Sequence, residues 1–157
     1  MSDGSGTVGA MTSRTPISAE TMAAAATVAP SPEATGRNLT RGELGALGES
    51  LAAEYLSAKG LRIAERNWRC LYGELDIIAC DDAGGIVIFV EVKTRTGDGF
   101  GGLAQAVTPD KVRRLRRLAG LWLAGQQGHW AGLRMDMVGV RIGQQCAPEI
   151  THLPGIG

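Results

Sequence analysis

An α/β fold is predicted, a small mixed sheet flanked by helices in the order α-β-β-β-α-β. Three features of the 157-residue sequence support it. A helix-spaced apolar stripe over 41–59 precedes three short strand-like runs. A second capped helix follows these runs over 108–124. The run Ile86-Val87-Ile88-Phe89-Val90 is the most hydrophobic, which marks it as a central strand.

In the first helix Leu44, Leu47, Leu51, Tyr55 and Ala58 recur at helical spacing. Gly45, Ala52, Ala53 and Leu56 form a second face, with Glu49 beside them, and Gly60 supplies the stop. This pattern is expected of a helix covered on two sides. Strands are expected over 61–69, 74–80 and 86–95, joined by turns at 70–73 and 81–85. A glycine-rich loop follows over 96–102, read as a flexible loop over a substrate groove. Thr108 is an N-cap residue with Pro109 at the first helical position. A fourth strand is expected over 133–142 and a short fifth over 149–153.

Composition divides the chain near residue 38. Residues 1–38 hold no Leu, Phe, Tyr or Trp and are read as a disordered tail. The apolar run at Met22 to Ala26 is too short for a secretory signal, and Arg14 is the only base before it. Residues 39–157 form the functional domain. Sixteen bases balance sixteen acids, which excludes attachment to nucleic acid by bulk charge alone. No apolar stretch is long enough to span a membrane. Three cysteines without a CxxC pair argue against a disulfide scaffold or a four-cysteine zinc site, and are read as buried, reduced thiols. That thiol pattern and the missing signal point to the cytoplasm.

The chemistry-bearing residues are acidic. Strand alternation puts Glu74, Asp76 and Ile78 on one face of the second strand, opposite Leu75, Ile77 and Ala79. In the third strand Glu91 and Lys93 share a face with Val87 and Phe89. Charges inside apolar strands are costly unless paired or metal-bound. Hard oxygen donors on rigid strands suit Mg²⁺ or Mn²⁺, with Asp76 and Glu91 as candidate ligands. Lys93 would then stand near the ion without ligating it. A salt-bridge ladder among Asp76, Glu91 and Lys93 is the alternative.

The residues around this set resemble the YraN family. They are Gly48-Glu49 with Leu51-Ala52, Asn67-Trp68-Arg69, and Gly73-Glu74-Leu75-Asp76-Ile77-Ile78-Ala79. Phe89-Val90-Glu91-Val92-Lys93-Thr94-Arg95, Ala106-Val107-Thr108 with Lys111, and Arg134-Met135-Asp136 complete the pattern. The resemblance covers about residues 41–142. That family is similar in fold to the restriction-endonuclease-like PD-(D/E)xK superfamily, which includes Holliday-junction resolvases. The resemblance implies a restriction-endonuclease-like fold and metal-dependent hydrolysis of phosphodiester bonds in DNA, branched DNA among them, or RNA. It also implies catalytic roles for Asp76, Glu91, Lys93 and Glu49, with Glu49 completing the metal site. Leu75 replaces the usual proline before Asp76, and Arg also occurs in the family where Lys93 stands.

The second helix adds a basic face. Helical angles put Arg113, Arg114 and Arg117 opposite Val112, Leu115, Ala119 and Trp122, as a surface for phosphates. Lys111 falls on the apolar side and is expected to point toward the acidic site. Arg95 continues the Glu91/Lys93 face as a phosphate contact, and Gln105 is a candidate for orienting a water. Arg134 and Asp136 are expected to form a structural pair. The second functional reading is a nucleic-acid-binding protein without turnover. A homodimer would let such a small protein address two strands.

Overall fold

The computed structural model describes residues 38–97, 102–144 and 146–157. The expected tail lies outside the described residues apart from Asn38, as does the centre of the glycine-rich loop. Helix α1 spans Arg41–Ala58, followed by strands β1 (Arg62–Cys70), β2 (Gly73–Asp81) and β3 (Ile86–Thr96). A 3₁₀ turn at Leu103–Ala106 leads into helix α2 (Pro109–Ala124). Strands β4 (Gly132–Ile142) and β5 (Glu149–Leu153) complete a single sheet in the order β1-β2-β3-β4-β5. Only β3 and β4 run parallel, because α2 lies between them and carries the chain back across the sheet. The expected element order and the central place of β3 both hold.

Both helices begin as their sequences dictate. The Thr40 side chain accepts from Glu43 N, and the Glu43 carboxylate accepts from Thr40 N, a reciprocal capping box. Thr108 Oγ1 accepts from Lys111 N, with Pro109 following it.

The sheet separates two cores. Beneath α2, Leu115, Leu118, Ala119 and Trp122 meet Leu75, Ile78, Val87, Phe89 and Met135. Beneath α1, Ala52, Ala53 and Leu56 meet Ile77, Ala79, Ile88, Val90, Val138 and Val140. The two-sided covering of α1 is corrected here. Its small-residue face is the buried one, while Leu47 on the leucine stripe is 39% exposed. Small residues win that face because the backbone comes very close to β3. An added Cβ at Gly48 would stand 1.9 Å from Thr94 Oγ1.

Cysteine burial is also corrected. Cys80 is buried, but Cys70 is half-buried and Cys146 exposed, all three as free thiols.

Candidate active site

The sheet is irregular at two places, a register shift between Ile63 and Glu65 on β1 and the level of Asp76 on β2. Paired positions on β1 and β2 run through Arg66↔Ile77 and resume at Trp68↔Leu75, which sets Asn67 opposite Asp76. Asn67 has φ +53°, and no other non-glycine residue among those described has a positive φ. On the other side, the β2–β3 pairing ends at Ile77↔Val90. The strict alternation expected of β2 therefore fails. Leu75 packs in the α2 core together with Ile78, while Ile77 packs in the α1 core. The kink is local and shared by both strands, since Asn67 in the left-handed region rotates β1 at the same level.

The opened ladder gives Asp76 its role. With β2 turned away from β3, its carboxylate Oδ2 accepts from Val92 N at 2.8 Å. A side chain thus replaces the backbone acceptor that a continuous ladder would supply. Burial pushes the Asp76 carboxyl up to about 7. The Val92 N–H opposes this, and the charges of Glu91, Glu49 and Glu74 add to it. Asp76 thus shares its electrostatic field with Glu49 from α1 and Glu91 from β3, the two acidic partners expected from sequence.

Glu91 faces α2, as the Val87–Phe89–Glu91 alternation requires. Its side chain is only 12% exposed, and Arg114 Nη2 donates to both carboxylate oxygens at 3.1 and 3.2 Å. Lys111 Nζ approaches to 3.9 Å, so Lys111 does point into the site. These cations come from α2. Lys93 pairs with neither Asp76 nor Glu91, so the salt-bridge ladder across the strands is not formed. Lys93 is exposed and lines a groove of about 140 Å³ with Arg95, Leu103, Gly139, Arg141 and Thr151.

The basic face of α2 is exposed, as its helical spacing predicts. Arg113, Arg114 and Arg117 are all exposed, but each has a separate partner. Arg113 pairs with Asp110 on its own helix, and Arg114 turns in to Glu91. Arg117 lies over the Tyr72 ring, 4.1 Å from its centroid. Gln105 is exposed on the 3₁₀ turn and makes no hydrogen bond to Asp76 or Glu91.

A second buried charge belongs to the scaffold. Asp136 is fully buried beneath α1. It accepts from Arg134 Nε and Nη2 at 2.8 Å each, and from Gly155 N at 3.0 Å. His152 Nε2 lies 2.8 Å from its Oδ2. Burial pushes the Asp136 carboxyl up, but these hydrogen bonds outweigh burial and hold it below the ordinary range. The Arg134–Asp136 pair was legible from its strand spacing. His152 and Gly155 were not, because no local pattern joins them to Asp136.

The family model of the uncharacterised protein family UPF0102 matches residues 48–140. The chain belongs to this family. The match takes in the kinked strand, both strand carboxylates and the whole of α2, and the YraN family of the sequence motifs goes under this name. A UPF0102 protein of Mycobacterium avium is 68% identical over 123 residues, which cover 78% of this chain and 96% of that one. Another from Mycobacterium ulcerans is 69% identical over 121 residues, 77% of this chain and 99% of that one. A third, from Mycobacterium tuberculosis, is 64% identical over 124 residues, 77% and 97% of the two chains. Among the described residues, no helix is long and apolar enough to cross a membrane.

Proposed function

We propose that this protein is a metal-dependent nuclease that hydrolyses phosphodiester bonds in DNA or RNA. One observation carries the reading. Asp76 sits just past the end of the β2–β3 ladder, opposite the positive-φ Asn67 of β1, and its buried carboxyl feels the charges of Glu91 and Glu49. Burying a carboxyl group within the field of other acids costs the fold stability, and catalytic sites concentrate such perturbed groups.

The donors suit Mg²⁺ or Mn²⁺ in kind, since all three offer hard oxygens. Among the described residues, no three acidic, His or Cys side chains stand gathered as a ready ligand set. Asp76 and Glu91 would hold the ion, with Glu49 as a third donor, and Glu91 would exchange its Arg114 contact to do so. A bound divalent ion supplies Lewis acidity to the phosphodiester and acidifies its nucleophilic water. The chain's own residues do the rest. Lys93, without a carboxylate partner among the described residues, stabilises charge on a phosphate oxygen beside Glu91. Arg114 and Lys111 sit at the same carboxylate and meet the backbone phosphates. Arg95 extends that contact along the groove it shares with Lys93.

The grip of Arg114 and Lys111 on Glu91 favours a second reading, nucleic-acid binding without turnover. The two separate in one experiment. Wild type, Asp76→Ala and Glu91→Ala are incubated with labelled duplex, branched DNA and RNA in Mn²⁺. The nuclease reading predicts cleavage by wild type alone, with binding retained in Asp76→Ala. Binding without cleavage by any protein would replace it with the second reading.

A further inference from the structure

The turn joining β1 to β2 carries a side chain that the fold does not use. Leu71 is 99% exposed and Tyr72 is 55% exposed. The preceding Cys70 pairs with Gly73, so Leu71 and Tyr72 form the two-residue tip of a hairpin. Such tips select Asn, Asp or Gly, whose backbones accept the turn. An apolar pair here serves neither the turn nor a core.

The tip is held in place from the side. Arg117 stacks on the Tyr72 ring at 4.1 Å, and Arg69 pairs with Glu74 at 3.2 Å at the foot of the turn. One helical turn before Arg117 on α2 stands Arg114, whose guanidinium reaches Glu91. A line of cations therefore runs from the acidic site to the tip. Along β2, Gly73 to Asp76 spans only roughly 10 Å.

We propose that Leu71 and Tyr72 form a wedge that stacks against an unpaired or splayed base, directing the site toward nucleic acid with a fork, overhang or junction. This rests on the nucleic-acid reading of the site above and names its substrate class. Arg114 and Arg117 hold the phosphates of the strand, and the apolar tip takes the place of a neighbouring base. Apolar side chains inserted at a base step unstack it, and aromatic side chains stack on any base. The occupant is nucleic acid because the exposed tip and the carboxylate site are joined by the same cationic face.

The test uses full-length protein in EDTA, which suppresses metal-dependent cleavage. Fluorescence anisotropy measures binding to a forked DNA and to a blunt duplex of equal length. The fork carries 2-aminopurine at the branch point. Wild type binds the fork more tightly than the duplex and raises the 2-aminopurine fluorescence as the base unstacks. Leu71→Ser and Tyr72→Ala lower fork affinity roughly 5- to 50-fold and abolish the fluorescence rise. Both leave duplex affinity unchanged, and circular dichroism checks that they fold. Variants that bind the fork as wild type does, or weaken fork and duplex alike, overturn the wedge and leave the nucleic-acid reading standing. The same follows if wild type binds both but shows no fork preference. Wild type binding neither these DNAs nor a forked RNA of the same sequence overturns both.

Discussion

Replacing Asp76 by Asn removes a charge that the fold tolerates poorly, and the gain has a definite pH dependence. The carboxyl is raised from 3.8 to about 7 by burial and by its acidic neighbours. Below pH 3.8 the carboxyl is protonated in both folded and unfolded chains, and the shift has no effect. Between there and about 7 the unfolded chain ionises while the folded one keeps its proton, so wild type loses stability as pH rises. At 1.36 kcal/mol per pKa unit, the loss levels off above pH 7 at about 4 kcal/mol. Asn carries no charge, and its side-chain oxygen still accepts from Val92 N. Asp76→Asn therefore gains on wild type steadily from pH 4 to pH 8, by a few kcal/mol in total. Urea denaturation of both proteins in EDTA at pH 4, 6 and 8 measures this directly. Parallel stability profiles, with a difference changing by less than about 1 kcal/mol across the range, would refute the buried, charge-coupled description of Asp76.

The scaffold makes two further predictions. Gly48→Ala places a methyl group 1.9 Å from Thr94 Oγ1, so α1 must lift from β3. Thermal or urea unfolding should show a loss of roughly 1–3 kcal/mol, and an unchanged midpoint would mean the helix is not seated as described. Asp136→Ala strands the Arg134 guanidinium and the Gly155 N–H around an empty place. Breaking a buried ion pair this way costs about 3–5 kcal/mol, readable as a fall in the urea midpoint. A loss below about 1 kcal/mol would contradict the role given to this cluster.

Periodicity and punctuation carried most of the fold. The capping residue Thr108, the turns and the apolar run of β3 are local signals, and each marked its element. The face of α1 was harder. Leucine spacing suggests one buried stripe, yet Gly48, Ala52 and Ala53 win the contact because close backbone approach to β3 excludes large side chains. The site was half legible. Glu91 and Lys111 stand where strand and helix periods put them. The kink was not legible, because alternation assumes a regular strand, and nothing in the run Glu74 to Ile78 announces that Leu75 changes sides. The only local trace is Asn67, a residue type that tolerates positive φ, on the neighbouring strand. The partners of the basic face were not legible for a related reason. A helical wheel assigns directions to Cα–Cβ bonds, whereas long arginine side chains travel to their partners, Arg114 to Glu91 and Arg117 to Tyr72.

The proposed activity depends on Asp76 and Glu91 binding a catalytic divalent ion. Isothermal titration of Mn²⁺ into wild type and the Asp76→Asn/Glu91→Gln double variant at pH 8 tests it most directly. The account predicts saturable binding of about one ion by wild type, with proton release, and none by the double variant. Equal heats from the two proteins, or no binding by wild type, would contradict it.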